Sequence, residues 1–279
     1  MSGTVQQGLT ALSRYFRKAG LDTPLTDARR LLAHVLKVDP GRLIVIAEDP
    51  LPDADLERAF ILAARRKDRR PMSHILGGRM FYGRWFEVTA DVLDPRPETE
   101  TLIEAALKQP YSEVLDLGTG SGAIIVTLLA ERPQATGVGT DLSAAALKVA
   151  DRNARALQVA DRVVFLESDW FAAVGGKFDL IVSNPPYIAQ SEMETLAPEL
   201  AFEPRQALTD EGDGLSAYRT IAGGAPTHLV PGGRLMVEIG PTQGVDVAEM
   251  FRAAGLENVT VLPDLDGRDR VVVGEMPRD

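Results

Sequence analysis

The sequence predicts an α/β fold in which a seven-stranded, mostly parallel sheet carries helices on both faces and follows a small helical region. From residue 112 onward, short apolar runs typical of strands alternate with segments of helical periodicity. Such alternation is typical of a sheet built from strand–helix–strand units. Residues 5 to about 75, by contrast, show only helical spacing.

The N-terminal region predicts three helices. The first has one apolar face at spacings of four, three and four, formed by Val5, Leu9, Leu12 and Phe16. A second begins at Thr26-Asp27 and is broken by Pro40-Gly41, and a third covers 53–67. We assign residues 1–77 to a helical domain, and its sequence shows no catalytic constellation.

Residues 78–93 change from helical spacing to a period of two. Apolar or aromatic side chains lie at even spacing, with Gly83-Arg84 between the two halves: Met80, Tyr82, Phe86 and Val88. The pattern predicts a β-hairpin that links two domains. Two prolines in Asp94-Pro95-Arg96-Pro97 then hold the chain extended before a helix, and the second domain covers 94–279.

The second domain contains seven apolar runs that predict strands, with helices at 121–131 and 143–157 between the first three. The runs are Val114 to Leu117, Ala135 to Asp141, Val163 to Leu166, Phe178 to Val182, Arg234 to Ile239, Val259 to Leu262 and Val271 to Val273. Ligands of such sheets bind beyond the carboxyl ends of the strands. Functional residues are therefore expected just after these runs.

Composition restricts the class of function. The chain has no cysteine, which excludes disulfides and thiolate catalysis and fits a cytoplasmic location. It has no apolar run long enough to span a bilayer. Residues 1–80 carry 14 Lys and Arg against 9 Asp and Glu, whereas the whole chain carries 30 against 40. The acidic main body argues against tight, non-specific binding to nucleic acid.

One run of basic residues interrupts this balance, Arg65-Arg66-Lys67-Asp68-Arg69-Arg70. A solvated helix end explains such a run. The alternative is a patch that steers an acidic partner.

The loop Gly118-Thr119-Gly120-Ser121-Gly122 follows the first strand and opens a helix. Glycines there let the backbone turn tightly and approach a ligand closely. With Ala123, the loop also fits the dinucleotide fingerprint. Asp141, 23 residues after Gly118, ends the second strand, where its carboxylate could bind ribose hydroxyls of either cofactor.

Two further features favour a sulfonium cofactor, S-adenosyl-L-methionine. Asp116 lies in the strand before the glycines, where a carboxylate could serve an ammonium group. Ser168-Asp169-Trp170 follows the third strand, where a polar side chain and the Trp170 ring could hold adenine.

The fourth strand runs directly into Asn184-Pro185-Pro186-Tyr187 at the ligand side of the sheet. The prolines remove two N–H donors, so nearby carbonyls can point at a ligand. Asn184 offers one acceptor and two donors, and Tyr187 can stack on a planar group. A planar NH2 target matches this set, whether an amide or an adenine amino group. The reaction needs no metal, and the three histidines, His34, His74 and His228, show no metal-ligand spacing.

At these residues the chain resembles the bacterial glutamine methyltransferases that modify class 1 peptide chain release factors. The resemblance covers nearly the whole chain, and two stretches are more specific than the glycine loop and the tetrapeptide. They are Pro95-Arg96-Pro97-Glu98-Thr99-Glu100 and Phe202-Glu203-Pro204-Arg205. Further matches are Ile75-Leu76-Gly77, Phe81-Tyr82-Gly83, Asp213-Gly214-Leu215, Glu238-Ile239-Gly240 and Gly267-Arg268-Asp269-Arg270.

The resemblance implies a Rossmann-like methyltransferase domain and an N-terminal domain that recognises the substrate. It implies that S-adenosyl-L-methionine, converted to S-adenosyl-L-homocysteine, contacts Gly118 to Gly122, Asp141, Trp170 and Asn184. It implies substrate contacts at Asn184, Pro185, Pro186 and Tyr187, with the glutamine of a Gly-Gly-Gln motif as target. Asp94 departs from the family, where an apolar residue usually precedes Pro-Arg-Pro, and could add charge near the pocket mouth.

Several alternatives remain open on the sequence. A glutamine methyltransferase of a large-subunit ribosomal protein would have the same catalytic core. An adenine amino-group methyltransferase would share the tetrapeptide but need a nucleic-acid surface, which the acidic main body does not favour. A non-catalytic binding module would not require Gly118, Asp141 and Asn184 together, and an NAD-dependent enzyme would leave the tetrapeptide unexplained.

Overall fold

The computed structural model describes residues 3–278, and the chain divides into two compact units. The first runs to Gly78 and includes the separate segment Pro198–Phe202. The second comprises Arg79–Ala197 and the chain from Glu203 onward. No helix in this described part is both long and apolar enough to cross a lipid bilayer.

The first unit is helical, as the sequence predicts. Its helices are α1 (Val5–Lys18), α2 (Pro24–Leu36), α3 (Asp53–Lys67) and α4 (Met72–Leu76). Thr4 and Gln7 form a reciprocal capping box that starts α1. Helix α2 begins at Pro24, before the expected Thr26, because proline is well tolerated in the first turn of a helix. That this unit recognises the substrate stays a prediction.

Most of the basic run at the end of α3 is exposed, as a solvated helix end predicts, but three of its arginines make contacts within the first unit. Arg66 is largely buried, and it pairs with Asp27 at 2.8 Å and with Glu199 at 2.9 Å. Arg69 donates to the Gly20 carbonyl, and Arg70 lies over the Phe202 ring, all within the first unit. Only Arg65 and Lys67 remain as exposed basic residues without such a contact here. The steering hypothesis therefore reduces to these two side chains.

The predicted hairpin is formed by β1 (Gly78–Phe81) and β2 (Arg84–Glu87). The turn is formed by Tyr82-Gly83 and not by the predicted Gly83-Arg84. Both turn residues have positive φ, as a two-residue hairpin turn of type I′ requires. This shift of one residue places Phe81, not Met80, in the core, where its ring meets the Phe86 ring edge-on at 5.9 Å. Met80 is 57% exposed.

The second unit is built on the predicted seven-stranded sheet, in the order β5-β4-β3-β6-β7-β9-β8. Its strands are β3 (Glu113–Leu117), β4 (Thr136–Asp141), β5 (Val163–Glu167), β6 (Phe178–Ser183), β7 (Leu229–Glu238), β8 (Glu257–Pro263) and β9 (Asp269–Glu275). The first five run parallel, and β9 is antiparallel to both of its neighbours. The helices are α5 (Glu100–Leu107), α6 (Ala123–Glu131), α7 (Ala144–Ala156), α8 (Ser216–His228) and α9 (Gly244–Ala253).

The strand order places a ligand site between β3 and β6. The chain moves outward from β3 through β4 to β5 and then returns to lay β6 on the other side of β3. Such a reversal opens a crevice beyond the carboxyl ends of the strands. The two central ends lie in register, with Leu117 beside Ser183, and the Ser183 hydroxyl donates to the Leu117 carbonyl at 2.7 Å. The glycine loop and the tetrapeptide therefore leave the sheet side by side.

Candidate active site

One cavity above the carboxyl ends of the strands brings together most of the predicted site residues. Of these, it is lined by Gly118, Thr119, Gly120, Ser121, Asp141, Trp170, Asn184 and Pro186. The rest of its wall includes Pro95, Arg96, Thr99, Ser168, Asp169, Pro204 and Gln206. Three predicted residues, Gly122, Pro185 and Tyr187, lie off this wall, so a contact with a ligand in the cavity stays a prediction for them.

The glycines of the loop serve two different purposes. Gly118 and Gly120 have positive φ, and a side chain added to either would meet no atom within 4 Å. Their missing side chains therefore leave an open cradle beside the cavity. Gly122 instead lies 3.2 Å from Ala150, measured from a built Cβ, so its small size lets α6 and α7 approach. The third glycine is a packing residue.

Asp141 holds the loop from the end of β4. Its Oδ2 accepts a hydrogen bond from the Gly120 amide and its Oδ1 one from the Ser143 amide, both at 2.9 Å. Burial raises the pKa of Asp141 and outweighs these backbone hydrogen bonds, which lower it. A carboxylate has lone pairs beyond the two used here, so Asp141 can still accept hydroxyl donors from the cavity.

Asp116 has a different position from the one that the sequence suggested. It is fully buried and does not line the cavity. Its Oδ2 accepts the Thr119 hydroxyl at 2.7 Å, whereas its Oδ1 has no hydrogen-bond partner in the described part of the chain. Burial raises the pKa of this carboxyl to about 7. Asp116 therefore supports Thr119 from below the loop.

The third predicted element, Ser168-Asp169-Trp170, forms the opposite rim of the cavity. Trp170 has φ of 49°, a left-handed conformation that a bulky residue rarely adopts. The Ser168 hydroxyl holds this conformation, because it donates to the Trp170 carbonyl at 2.9 Å and accepts the Ala173 amide at 3.0 Å. The indole ring is thereby held at the wall.

Asn184 is the polar side chain that β6 delivers to the cavity. Its Nδ2 donates to the Thr99 hydroxyl oxygen at 3.3 Å. Its Oδ1 is buried and has no hydrogen-bond partner within residues 3–278. A buried amide oxygen without a partner is costly. Asn184 therefore has one strong acceptor that no described residue satisfies, in a residue that lines the cavity.

The rest of the tetrapeptide is held from behind by Gln243, at the start of α9. The Gln243 Nε2 donates to the Tyr187 carbonyl at 3.0 Å and to the Gly214 carbonyl at 3.1 Å. Its Oε1 accepts the Gly240 amide at 2.9 Å. Gly214 has positive φ, and an added Cβ would lie 2.4 Å from the Tyr187 carbonyl oxygen, so only glycine fits there. The tetrapeptide backbone is therefore clamped between two loops.

The Pro-Arg-Pro segment forms another part of the wall, and an ion-pair network fixes it. The Glu203 carboxylate accepts a hydrogen bond from the Arg96 side chain at 2.7 Å and another from the Asp94 backbone amide at 3.2 Å. Asp94 is buried and lies 3.2 Å from Arg79 and 3.9 Å from Arg96. The expectation that Asp94 adds charge at the pocket mouth is therefore wrong: its charge faces two arginines below the wall.

Beside Asn184, the end of β7 carries a buried acid. Glu238 is 1% exposed, and neither carboxylate oxygen has a hydrogen-bond partner in the described residues. Burial raises its pKa to about 7, although the Thr99 side chain and the charge of Arg270 lower it.

The structure places no metal site among the residues it describes. No group of three or more His, Cys, Asp or Glu side chains within 3–278 is positioned to hold an ion. The His228 ring stacks on the Phe171 ring at 4.5 Å, and its Nδ1 lies 3.0 Å from the Gly224 carbonyl.

Sequence reasoning missed the buried or supporting residues around the tetrapeptide and the Pro-Arg-Pro segment. They are Thr99, Glu203, Glu238 and Gln243. Thr99, Glu203 and Glu238 lie in stretches that match the family. The resemblance therefore pointed to them but did not say what each residue does. Gln243 lies in none of these stretches, and only the fold brings it to Tyr187.

Comparisons with known proteins agree with this architecture. Residues 7–77 match the family model described as PrmC N-terminal domain, and residues 90–216 match the one described as Methyltransferase small domain. A methyltransferase structure from Pyrococcus furiosus, 17% identical, aligns with a TM-score of 0.57 over 77% of this chain and 99% of that one. At this identity it shows the fold alone.

Two curated relatives match over most of their length. A release factor glutamine methyltransferase of Cereibacter sphaeroides is 59% identical over 93% of this chain and 94% of its own. One of Rhodospirillum rubrum is 44% identical over 91% of this chain and 80% of its own. The chain belongs to the release factor glutamine methyltransferase family.

Proposed function

We propose that this protein transfers a methyl group from S-adenosyl-L-methionine to the side-chain amide nitrogen of the glutamine in the Gly-Gly-Gln motif of class 1 peptide chain release factors. One observation carries the proposal. Asn184, whose buried Oδ1 has no hydrogen-bond partner among the described residues, lines the same cavity as Gly118 and Gly120. An acceptor for an NH2 group thus shares a cavity with a cofactor loop.

The residues of the glycine-loop side fit S-adenosyl-L-methionine. The empty space at Gly118 and Gly120 admits a ligand against the backbone. Asp141 offers acceptor lone pairs for ribose hydroxyls, and the Trp170 ring offers an apolar face for adenine. When bound, S-adenosyl-L-methionine supplies an electrophilic methyl group on a positively charged sulfur.

The tetrapeptide side fits a planar amide. The Asn184 Oδ1 accepts a hydrogen bond from the target NH2 and orients the nitrogen, whose lone pair is otherwise delocalised into the amide. The same oxygen stabilises positive charge as it develops on that nitrogen. Thr99 and Gln243 hold this arrangement before the substrate arrives, so little reorganisation is required.

The remaining parts of the proposal follow from the family. The class of substrate comes from the names of the curated relatives. Release factors act in protein synthesis, so we place the reaction in the cytoplasm. The acidic second unit does not favour a nucleic-acid substrate.

The test is to incubate the protein with a class 1 release factor and methyl-labelled cofactor and to map the label by mass spectrometry. We expect one methyl group on the glutamine of the Gly-Gly-Gln motif. A release factor with glutamate at that position is the matched control, because it lacks the amide nitrogen and should remain unlabelled. Label on adenine or on a ribosomal protein, with none on the release factor, would overturn the proposal.

A further inference from the structure

The Glu238 carboxyl is a buried acid beside the start of the tetrapeptide that the mechanism above does not use. It is the last residue of β7, which lies next to β6, and Ser183 pairs with Val237, so Asn184 and Glu238 follow one position further along the two neighbouring chains. A carboxyl group that is 1% exposed and has no normal hydrogen bond is costly to bury. Such a group in a native fold requires an explanation.

The nearby cations are engaged elsewhere. Arg270 donates to the Ile239 carbonyl and pairs with Asp264, and Arg96 pairs with Glu203. The positive charges of Arg270 and Arg96 lower the pKa of Glu238. Burial and the negative charge of Glu98 raise it. Neither arginine is a hydrogen-bond partner of this carboxyl.

Thr99 connects Glu238 to Asn184. It is buried, and its oxygen accepts the Asn184 Nδ2 at 3.3 Å. The Thr99 side chain is also near enough to Glu238 to lower its pKa by hydrogen bonding, although the contact is longer than a normal hydrogen bond in this conformation. The hydroxyl therefore lies between an amide and a carboxyl group.

A hydroxyl has a single proton to donate. If Glu238 is ionised, the carboxylate takes that proton, and only the lone pairs of Thr99 face Asn184. Asn184 must then present Nδ2 to Thr99, which turns Oδ1 away from Thr99. This matches the observed orientation, in which Nδ2 donates to Thr99 and Oδ1 has no protein partner.

We propose that Glu238 is a positioning residue that, acting as a carboxylate through the Thr99 hydroxyl, holds the Asn184 amide with its oxygen toward the target nitrogen. The inference rests on the proposed function, because it explains why the Asn184 oxygen, and not its NH2 group, is left without a bond to Thr99. Protonated Glu238 would instead donate to Thr99 and send the Thr99 proton to Asn184. The Asn184 side chain would then turn its oxygen to Thr99 and its NH2 group toward the NH2 group of the target, where two donors would face each other.

The proposal predicts an acid limb in the pH profile of transfer. Burial places the pKa of Glu238 at about 7. Five ionisable groups act on it from the surrounding elements: Arg96 and Glu98 before α5, Tyr187 after β6, Tyr218 on α8 and Arg270 on β9. Burial raises the pKa of both tyrosines, so they stay neutral in this range.

The experiment compares Thr99→Val with Thr99→Ser in the full chain. Valine keeps the shape and removes the hydroxyl, whereas serine keeps the hydroxyl. We expect kcat of Thr99→Val to fall about tenfold or more at saturating substrates, because a misplaced acceptor is costly, and Thr99→Ser to restore most of it. Because burial also raises the pKa of Asp116 to about 7, the pH profiles are measured in an Asp116→Asn background, where Glu238→Gln should abolish the acid limb between about pH 5.5 and about pH 8. An unchanged kcat in Thr99→Val, or an acid limb that persists in Glu238→Gln, would overturn the proposal.

A second measurement does not depend on the substrate. In the protein without ligands, the NMR signals of the Asn184 side-chain NH2 should shift with a midpoint near the pKa of Glu238 and should not do so in Glu238→Gln. Signals that are insensitive to pH would overturn the inference. Failure of wild-type protein to methylate a release factor would count against the proposed function alone. Thermal melts of each variant establish that it is folded.

Discussion

The two walls of the cavity differ in how far apart in the sequence the residues lie whose contacts hold each wall in place. The glycine-loop wall, Gly118 to Ser121 with Asp116 and Asp141, is held by bonds between residues close in sequence. Thr119 and Asp116 are 3 residues apart, and Gly120 and Asp141 are 21 apart. The tetrapeptide wall, Asn184 to Tyr187 with Thr99, Glu238 and Gln243, is held over longer separations. Asn184 and Thr99 are 85 residues apart, and Gln243 and Tyr187 are 56 apart.

The walls also differ in how far their polar groups are satisfied. Both Asp141 oxygens accept backbone amides, and Asp116 is bonded through one oxygen. On the tetrapeptide wall, Asn184 Oδ1 and both oxygens of Glu238 lack partners among the described residues. The first wall is therefore a nearly complete structure that receives a ligand. The second keeps unsatisfied acceptors beside the place where the bond would form.

Removal of the Asn184 amide should have the largest effect. We expect Asn184→Ala to lower kcat by about 100-fold or more, because loss of one preorganised group in a buried site costs that much. The dissociation constant of S-adenosyl-L-methionine should change far less, since the glycine-loop wall is untouched. Turnover with release factor and calorimetry with the cofactor measure the two quantities.

Gln134→Ala is a suitable control for this variant, because Gln134 is exposed. If Asn184→Ala weakened cofactor binding as strongly as it lowered kcat, the two walls would not be independent. If transfer survived, the role assigned to Asn184 would be wrong.

The opposite result is expected when Asp141 is changed. Asp141→Ala removes the acceptors of the Gly120 and Ser143 amides, so the loop loses its support and the proposed ribose contact. The dissociation constant of the cofactor should rise about tenfold or more, as two hydrogen bonds to a charged group are lost. This rise should exceed any fall in kcat at saturating cofactor. Asp161→Ala, at an exposed position, is the matched control, and an equal loss in kcat would remove the distinction between the walls.

This difference in reach also explains what the sequence could predict. The glycine loop, Asp141 and Trp170 are recognisable because each follows its own strand within a short stretch, and the fold places strand ends together. Asn184 is recognisable for the same reason. The type of sheet and the number of its strands were predictable, because each buried strand is visible in the sequence as a short apolar run.

The residues that hold the tetrapeptide in place were not predictable, because a local sequence pattern does not show which distant residue a side chain contacts. Nothing near Gln243 indicates that it binds the Tyr187 carbonyl. Asp94 was misjudged because its partners, Arg79 and Arg96, are set by the turn of the hairpin and by the proline segment. The ion pair of Arg66 was not predictable because its partner Glu199 lies 133 residues away.

The smallest effect concerns stability, and it compares one buried acid from each wall. Burial raises the pKa of Asp116 and of Glu238 to about 7. An acid whose pKa is raised on folding stabilises the protein fully below its unfolded pKa, and this contribution is lost as pH rises through the folded pKa. The free energy of unfolding without ligands should therefore fall between about pH 4 and about pH 7, by roughly 4 kcal/mol for Asp116 and roughly 3 kcal/mol for Glu238. Carboxyls whose pKa is lowered, such as that of Asp210, act below this window.

Urea unfolding as a function of pH measures this slope, and Asp116→Asn and Glu238→Gln should each reduce it. The comparison between the two variants then tests the walls themselves. Asp116 has one hydrogen bond from Thr119, whereas Glu238 has only the loose contact with Thr99. Addition of S-adenosyl-L-methionine should leave the slope due to Glu238 in place, because the cofactor residues proposed here do not contact it. If the cofactor abolished that slope, the two walls would be coupled through the strands between them, and the independence argued above would fail.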